Sequence, residues 1–210
     1  MEKLVLSVAA GAFLFASCVS NPEGKRAETG DHVEVTEAVG AGSVLTIDTA
    51  ASELAWTGRK VSGQHHGTVG LKSGSMTIAD GQLTGGNFVA DLTTIHDLDL
   101  EGEYKEKLEG HLKSADFFDV ENHPEATFDI TAVVPASEAG VVTVSGNLSI
   151  RGVSKNISFD AHIQEATDTS FSATADFNIA REDWGVNYAG KADDLISKEI
   201  NLKVTLVAKN

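Results

Sequence analysis

The side chains that could hold a metal ion are few and poorly spaced for that task. Of the seven histidines, His65 and His66 are adjacent, and because neighbouring residues of a strand point to opposite faces, the two should not bind one ion. The others considered as ligands are far apart in sequence or lie on the polar side of a strand: His96, His111, His123 and His162. None recurs at the His-x-x-x-His spacing of zinc sites. The sequence therefore predicts no metal site.

The sequence also lacks the residues that nucleophilic catalysis requires. It contains no Gly-x-Ser-x-Gly motif, and its single cysteine, Cys18, follows an apolar N-terminal segment. Carboxylates are numerous but scattered, and an adjacent pair such as Asp193 and Asp194 is more typical of a solvated turn than of a general acid and base. The sequence predicts no catalytic residues and a protein that is not an enzyme.

The net charge excludes one class of partner. The chain carries 31 acidic and 16 basic side chains, a formal charge of −15. Such a protein repels a phosphate backbone instead of releasing its counterions, so nucleic acid is excluded as a partner. The same charge keeps the domain away from anionic membrane surfaces.

Alternating apolar residues organise most of the remaining chain and predict strands. They cover residues 44–48, 54–61, 66–71, 75–79, 87–95, 126–134, 142–150, 157–163, 171–179 and 200–206. Turns are expected at Lys72-Ser73-Gly74, between two of these strands, and at Asp80-Gly81. Because the strands are long, one-sided and closely connected, they predict an all-β fold, an antiparallel barrel of about eight strands.

One helical insert interrupts the strands. Tyr104, Leu108 and Leu112 recur at four-residue intervals and should share one face of a short helix. Pro124 cannot continue a helix, and the adjacent Phe117 and Phe118 would be costly if both were exposed. We expect this insert to act as an aromatic plug that covers a side the strands leave open.

The inward face of the predicted barrel mixes large and small residues, and the pattern leaves two possibilities open. The small residues in phase with large apolar neighbours are Gly58, Ala90, Gly146, Ala161, Ala173 and Ala175. An eight-stranded barrel can be filled by its side chains or can hold one small ligand. Periodicity alone does not distinguish a packed interior from an open bore.

The N-terminal residues 1–17 have the pattern of a secretory signal peptide. Residues 4–15 are apolar apart from Ser7 and Gly11, too short a stretch to span a bilayer. The end of this segment, Phe15-Ala16-Ser17-Cys18, resembles a bacterial lipobox, whose cysteine is acylated and becomes the membrane anchor. The alternative is an ordinary signal peptide with an incidental cysteine.

Composition divides the rest of the chain in two. Residues 18–43 have no sustained apolar period, and we expect them to form the acylated cysteine and a flexible tether. Residues 44–210 form a single domain by length.

Three spaced motifs resemble the YceI-like lipid-binding family, also described as polyisoprenoid-binding. The first is LKSADFFDV at residues 112–120 with HPEATF at 123–128, the second is GNLSIRGVSK at 146–155, and the third is FNIAREDWGV at 177–186. Residues 194–206 are similar to the closing strand of the family. The chain departs from the family pattern at residues 98–103 (LDLEGE), before the predicted helix.

The resemblance implies a lipocalin-like antiparallel barrel with a short helical insert and a long isoprenoid lipid in the bore. That lipid would be a non-covalent ligand, and no cofactor is expected. The residues expected to contact it are Trp56, Phe88, Phe128, Ile130, Leu148, Ile150, Phe159, Phe177, Ile179, Arg181 and Leu202. Trp184 is expected to plug the barrel.

Arg181 is the one charged residue in this set. It lies in phase with apolar residues of its strand, and a charge on that side is costly unless it is paired. Two interpretations remain: contact with a lipid head group at the mouth of the barrel, or a salt bridge with one of three carboxylates. Those carboxylates are Asp183, Asp193 and Asp194.

Together these features predict an exported lipid-binding protein, anchored through Cys18 in the bacterial cell envelope. Ser20 and Asn21 follow the cysteine without an aspartate directly after it, which favours the outer membrane. The alternative is a packed barrel that acts in envelope stress or protein interaction without a ligand. The oligomeric state is not predicted.

Overall fold

The computed structural model describes residues 19–34 and 42–210. The predicted signal peptide and Cys18 lie outside the described residues, as do residues 35–41. Within the two ranges the chain forms twelve strands, one α-helix and one short 3₁₀ helix. In chain order they are β1 Lys25–Arg26, β2 Glu28–Asp31, β3 Ser43–Ile47, β4 Glu53–Lys60, β5 Gly63–Ala79, β6 Gln82–Asp97, α1 Gly102–Lys113, β7 Glu125–Pro135, β8 Val141–Ile150, β9 Val153–Ala166, β10 Ser170–Ala180, the 3₁₀ helix Arg181–Trp184, β11 Gly190–Lys191 and β12 Asp194–Lys209.

Eight of these strands close into an antiparallel barrel. Each strand from β4 to β10 pairs with the next along the chain. The last strand, β12, pairs with β10 on one side and with β4 on the other, which completes the ring. The predicted all-β barrel of about eight strands with one helical insert is confirmed.

Two tight turns connect consecutive barrel strands, the one predicted at Asp80-Gly81 and a second at Arg151-Gly152. Asp80 and Gly81 have φ angles of 52° and 72°, and Arg151 and Gly152 have φ angles of 52° and 73°. Positive φ at both central residues is the geometry of the two-residue hairpin turn that matches strand twist. These turns connect β5 to β6 and β8 to β9.

The turn predicted at residues 72–74 is wrong, because β5 runs unbroken through it. Two irregularities in its pairing with β6, between Thr68 and Gly70 and between Leu71 and Ser73, absorb the local distortion. Gly74 is required by packing instead of by a turn: a Cβ there would lie 2.6 Å from the carbonyl oxygen of Asn87. The glycine permits close approach within the sheet.

The flexible tether predicted over residues 18–43 is wrong for the described residues 21–33. Strands β9 and β10 pair with each other only through residues 161–166 and 171–175. Where they diverge, β1 pairs in parallel with β10 and β2 pairs antiparallel with β9. We call residues 21–33 the seam segment, because they fill the gap between two barrel strands.

The seam segment is held by buried contacts. Ala27 is 4% exposed and belongs to the hydrophobic core. The side-chain amide of Asn178 donates to the carbonyl oxygen of Pro22 at 3.0 Å, and Val33 exchanges hydrogen bonds with the side chain of Asn147. Backbone hydrogen bonds to the open edges of β9 and β10 stabilise this segment. Such bonds do not depend on apolar side chains, so the polar composition did not indicate that the segment belongs to the fold.

The helical insert is found where it was predicted. In α1, Leu112 is buried, whereas Tyr104 at the other end of the same face is 74% exposed. Phe117 follows the helix, is 5% exposed, and packs edge-on against Phe118 with ring centroids 5.3 Å apart. Among residues 19–34 and 42–210, no helix has the length and apolar character needed to cross a membrane.

Candidate functional site

The barrel encloses a cavity of about 720 Å³. This volume lies in the range of about 300–1,000 Å³ that small-molecule sites occupy. All eight barrel strands and α1 contribute to its wall, which consists mainly of aliphatic and aromatic side chains. The interior is therefore an open bore and not a packed core.

The residues predicted from sequence to face a ligand are brought together by this fold. All eleven border the cavity: Trp56, Phe88, Phe128, Ile130, Leu148, Ile150, Phe159, Phe177, Ile179, Arg181 and Leu202. Their position on the wall follows from strand alternation. Their contact with a lipid stays a prediction.

Four phenylalanines form a continuous aromatic row across one side of the cavity. Ring centroids of Phe88 and Phe128 are 5.3 Å apart, those of Phe128 and Phe159 are 5.7 Å apart, and those of Phe159 and Phe177 are 4.0 Å apart. The row crosses from β6 to β7, β9 and β10. Gly146 makes the crossing possible, since a Cβ there would lie 2.3 Å from the ring of Phe128.

Gly58 has the opposite surroundings. It borders the cavity from β4, and a Cβ added there would meet no atom of the described residues within 4 Å. The two glycines of the inward face therefore serve different purposes. Gly146 makes room for the ring of Phe128, whereas Gly58 borders empty space.

The cavity opens at the end of the barrel that carries α1. Tyr104 and Lys107 of α1 border it and are well exposed, with 71% of the Lys107 side chain accessible to solvent. At the other end the cavity is bordered by Met76 and Phe171, each 1% exposed. We call the open end the mouth.

An ion pair joins two hairpins at the mouth. The ammonium of Lys60 lies 2.9 Å from Oδ2 of Asp194, and the backbone N–H of Ser62 donates to Oδ1 at 2.9 Å. Lys60, together with Ser62, lowers the pKa of Asp194 to about 2. This carboxylate therefore stays ionised at physiological pH and neutralises Lys60.

Arg181 forms none of the expected salt bridges. Its guanidinium is 2% exposed and donates to the carbonyl oxygens of Ser197, at 2.9 Å, and of Val186. Its central carbon lies 5.6 Å from the ring centroid of Phe117. In the described part of the chain no carboxylate lies within ion-pair distance of it, so the prediction of a partner among Asp183, Asp193 and Asp194 is wrong. Burial lowers the pKa of this guanidinium.

The two tryptophans have different positions. Trp184 is 1% exposed, and its Nε1 donates to the carbonyl oxygen of Leu148 at 2.9 Å. It does not border the cavity, and its role as a plug stays a prediction. Trp56 borders the cavity, and its buried Nε1 has no hydrogen-bond partner within the described ranges.

His111 is a wall residue that the sequence reasoning did not assign to the site. It packs against the ring of Tyr188, with centroids 4.6 Å apart, and its buried Nε2 has no partner among the described residues. The four-residue spacing of α1 drew attention to Tyr104, Leu108 and Leu112 only. A histidine one position before Leu112 could have been recognised as lying next to the buried face.

The adjacent histidines reach one carboxylate after all. Nδ1 of His65 lies 2.8 Å from Oδ2 of Asp99, and Nδ1 of His66 lies 3.4 Å from Oδ1. Alternation places the two side chains on opposite faces of β5, yet both reach the same carboxylate. Asp99 lies beyond the end of β6 and approaches β5 from its edge, which both faces share. Burial raises the pKa of Asp99. Hydrogen bonds to the backbone N–H of His66 and to the ring of His65 lower it by more, so the pKa lies below its usual value.

A comparison with protein families finds one match over most of the chain. The YceI-like domain model matches residues 45–208. This range begins within β3 and ends one residue before the end of β12, so it contains β4 to β10, α1 and nearly all of β12.

Curated relatives of similar sequence are UPF0312 proteins. One from Pseudomonas putida strain W619 is 33% identical over 100 residues, which are 44% of this chain and 50% of the relative. Another, from Shewanella baltica strain OS185, is 30% identical over the same shares. The chain thus spans about half the length of the curated relatives it matches.

Two solved structures share the fold. BcnA from Burkholderia cenocepacia aligns with a TM-score of 0.64 at 18% identity, over 78% of this chain and 99% of that chain. A polyisoprenoid-binding domain from Saccharophagus degradans, implicated in plant cell wall breakdown, aligns with a TM-score of 0.60 at 16% identity, over 80% and 99%.

Proposed function

Because the chain belongs to the YceI-like domain family, we propose that it binds a long-chain isoprenoid-type lipid in the barrel bore and sequesters or carries it. The open cavity of about 720 Å³ is the observation that carries this proposal. The name of the Saccharophagus degradans domain, a polyisoprenoid-binding domain of the same fold, supports the ligand class.

The energetics favour a long apolar chain over a short one. Burial of about 500 Å² of apolar ligand surface contributes roughly 12 kcal/mol at about 25 cal/mol per Å². Association costs about 4–15 kcal/mol. A short ligand buries too little surface to offset this cost, whereas a chain that fills the bore to its closed end would offset most of it.

The charges at the mouth support a polar head group there. Among the described residues, five cations and two carboxylates, Asp194 and Glu199, border the cavity. Asp194 neutralises Lys60 and Arg181 is buried, so Arg59, Lys107 and Lys191 are the cations that could meet a head group. This local excess contrasts with the formal charge of −15 of the whole chain. The tail would then fill the bore and an acidic or strongly polar head would remain at the rim.

The second function considered, a packed barrel that acts through its surface, has less support. It requires an interior filled by side chains, and the empty space beside Gly58 does not favour it. That the protein is not an enzyme stays a prediction.

Lipid binding should be visible through the tryptophans, which number only two. We expect mass spectrometry of an organic extract of the purified protein to show about one long-chain lipid per barrel. After delipidation, adding a polyprenol should shift the emission of Trp56, which borders the cavity, and leave that of Trp184 unchanged.

The variant Trp56→Phe provides the control. It keeps only the buried Trp184 and should lose the fluorescence response while still yielding lipid on extraction. A wild-type protein that carries no lipid and shows no response to polyprenol would contradict the proposal.

We further propose that Cys18 is acylated and anchors the protein in the bacterial cell envelope, in the outer membrane. Stable anchoring needs at least two acyl chains, which lipobox processing supplies. Only Val19 and Ser20 separate Cys18 from the seam segment, which begins at Asn21. A stretch this short reaches about 10 Å when extended, so the anchor would hold the barrel near the membrane surface against the repulsion expected from its charge of −15.

Replacing the anchor should release the barrel without unfolding it. We expect Cys18→Ser to move the protein from the membrane fraction to the soluble periplasmic fraction with an unchanged melting temperature. Ser7→Ala, which lies in the apolar stretch and leaves Ala16, Ser17 and Cys18 unchanged, is the matched control and should stay in the membrane fraction. Retention of the serine variant on membranes after washing with concentrated salt would argue against the anchor.

A further inference from the structure

Three potential metal ligands meet beside the mouth, at the start of β5 and just beyond the end of β6. Gly67 pairs with Asp97 in the antiparallel register, which brings residue 65 opposite residue 99. One donor atom from each of His65, Asp97 and Asp99 lies within 4.8 Å of the other two. Zinc ligands at about 2.0–2.2 Å from one ion lie no more than about 4.4 Å apart, so small side-chain rotations would complete the set.

The surroundings of Asp97 are a second, independent observation that points to a bound cation. It is fully buried, at 0% exposure. Its Oδ1 accepts hydrogen bonds from the backbone N–H groups of Asp99, at 3.2 Å, and Leu100, at 2.7 Å. Its Oδ2 is also buried and has no partner in the part of the chain that the structure describes.

An unpaired carboxylate oxygen in the interior is unfavourable, because burial removes its water without replacing it. A cation coordinated by Oδ2 would supply the missing interaction. The backbone N–H of Asp97 donates to Glu109 of α1 at 2.9 Å, so this aspartate is fixed from the helix side as well. These hydrogen bonds hold Asp97 in place without a bound ion.

We propose that His65, Asp97 and Asp99 form a binding site for one divalent cation of the zinc type. Imidazole nitrogen and carboxylate oxygen are both zinc ligands, and this mixture favours a borderline cation over magnesium or calcium, which prefer oxygen alone. Two carboxylates would neutralise the ion. Three protein ligands leave a fourth position for water or a ligand atom, as in open zinc sites.

The sequence could not reveal this set, because only one of the three donors is a histidine and the two strands meet through long-range pairing. The site is independent of the lipid proposal, since its ligands are protein side chains. His65 also borders the cavity, so an occupied site would lie next to any bound molecule.

The test uses the full chain carrying Cys18→Ser, so that no thiol competes for the metal. After chelation and dialysis, titration with zinc chloride in a calorimeter should show one equivalent bound per chain. Zinc should also raise the melting temperature, because an ion that binds only the native state shifts unfolding by mass action. X-ray absorption should show nitrogen and oxygen donors at about 2.0–2.2 Å.

Two variants and one control assign the ligands. Asp97→Asn, which keeps the shape of the side chain, and His65→Ala should each weaken zinc binding at least about tenfold. His162→Ala is the matched control, since His162 is exposed on β9, and it should bind zinc like the parent. The proposal is overturned if the parent binds no zinc at one equivalent, or if both ligand variants bind it as tightly as the control.

Discussion

Gly58→Phe should abolish most lipid binding while the barrel remains folded. A side chain at this position would enter empty space, because no atom of residues 19–34 or 42–210 lies within 4 Å of the added Cβ. It would displace about 100 Å² of ligand contact, worth about 2.5 kcal/mol at about 25 cal/mol per Å², and so weaken binding on the order of 50-fold. The measurements are the lipid recovered from purified protein and the melting temperature of the delipidated form.

The same substitution outside the cavity is the matched control. Gly63 begins β5, is exposed, and likewise has no atom of the described part of the chain within 4 Å of an added Cβ. It does not border the cavity. Gly63→Phe should keep the lipid content of the wild type. If Gly58→Phe retained its lipid, or lost as much stability as an overpacked core does, roughly 1–3 kcal/mol, the bore would not be the binding site.

Arg181→Met should destabilise the protein by about 3 kcal/mol or more. Methionine keeps an apolar stem against Phe117 but donates no hydrogen bond to the carbonyl oxygens of Ser197 and Val186. Hydrogen bonds from a charged donor are worth roughly 1.5–3 kcal/mol each, and their loss leaves buried acceptors unpaired. Urea unfolding followed by circular dichroism measures the change in unfolding free energy.

Two further substitutions separate the donors from the charge. Arg181→Lys retains the charge without the planar fork of donors, and we expect it to recover only part of the loss. Arg59→Met removes a guanidinium whose one hydrogen bond to a described residue, with the carbonyl oxygen of Asn21 as acceptor, is 3.4 Å long. It should change stability by less than about 0.5 kcal/mol. Equal stability of Arg181→Met and wild type would show that this guanidinium has no structural role.

The sequence was most informative about which side chains face the bore, because the alternation within one strand determines this. Phe159 and Phe177 face the bore because alternation with period two assigns each inward residue without reference to other strands. The same logic located Trp56 and Leu202 on the wall. A resemblance in three motifs then indicated the barrel and the class of ligand.

Features that depend on pairing between distant strands were not predicted. The seam segment is polar, and its place depends on a gap between β9 and β10 that no local pattern records. The meeting of His65 with Asp97 and Asp99 depends on the register of β5 against β6. Whether small residues border empty space or a neighbouring ring, as at Gly58 and Gly146, depends on side chains across the barrel.

The long-range pairing of the seam segment leads us to expect that it takes its place late in folding. Asn178 binds the carbonyl oxygen of Pro22 across 156 residues of sequence, and contacts this distant form only after the cost of closing the intervening loop has been met. β1 pairs with β10 and β2 pairs with β9, and both of these partner strands lie in the C-terminal part of the chain. In a chain that emerges with its N-terminus first, residues 21–33 are among the first to appear and among the last to be seated. Until they arrive, the facing edges of β9 and β10 remain open to pairing with other chains.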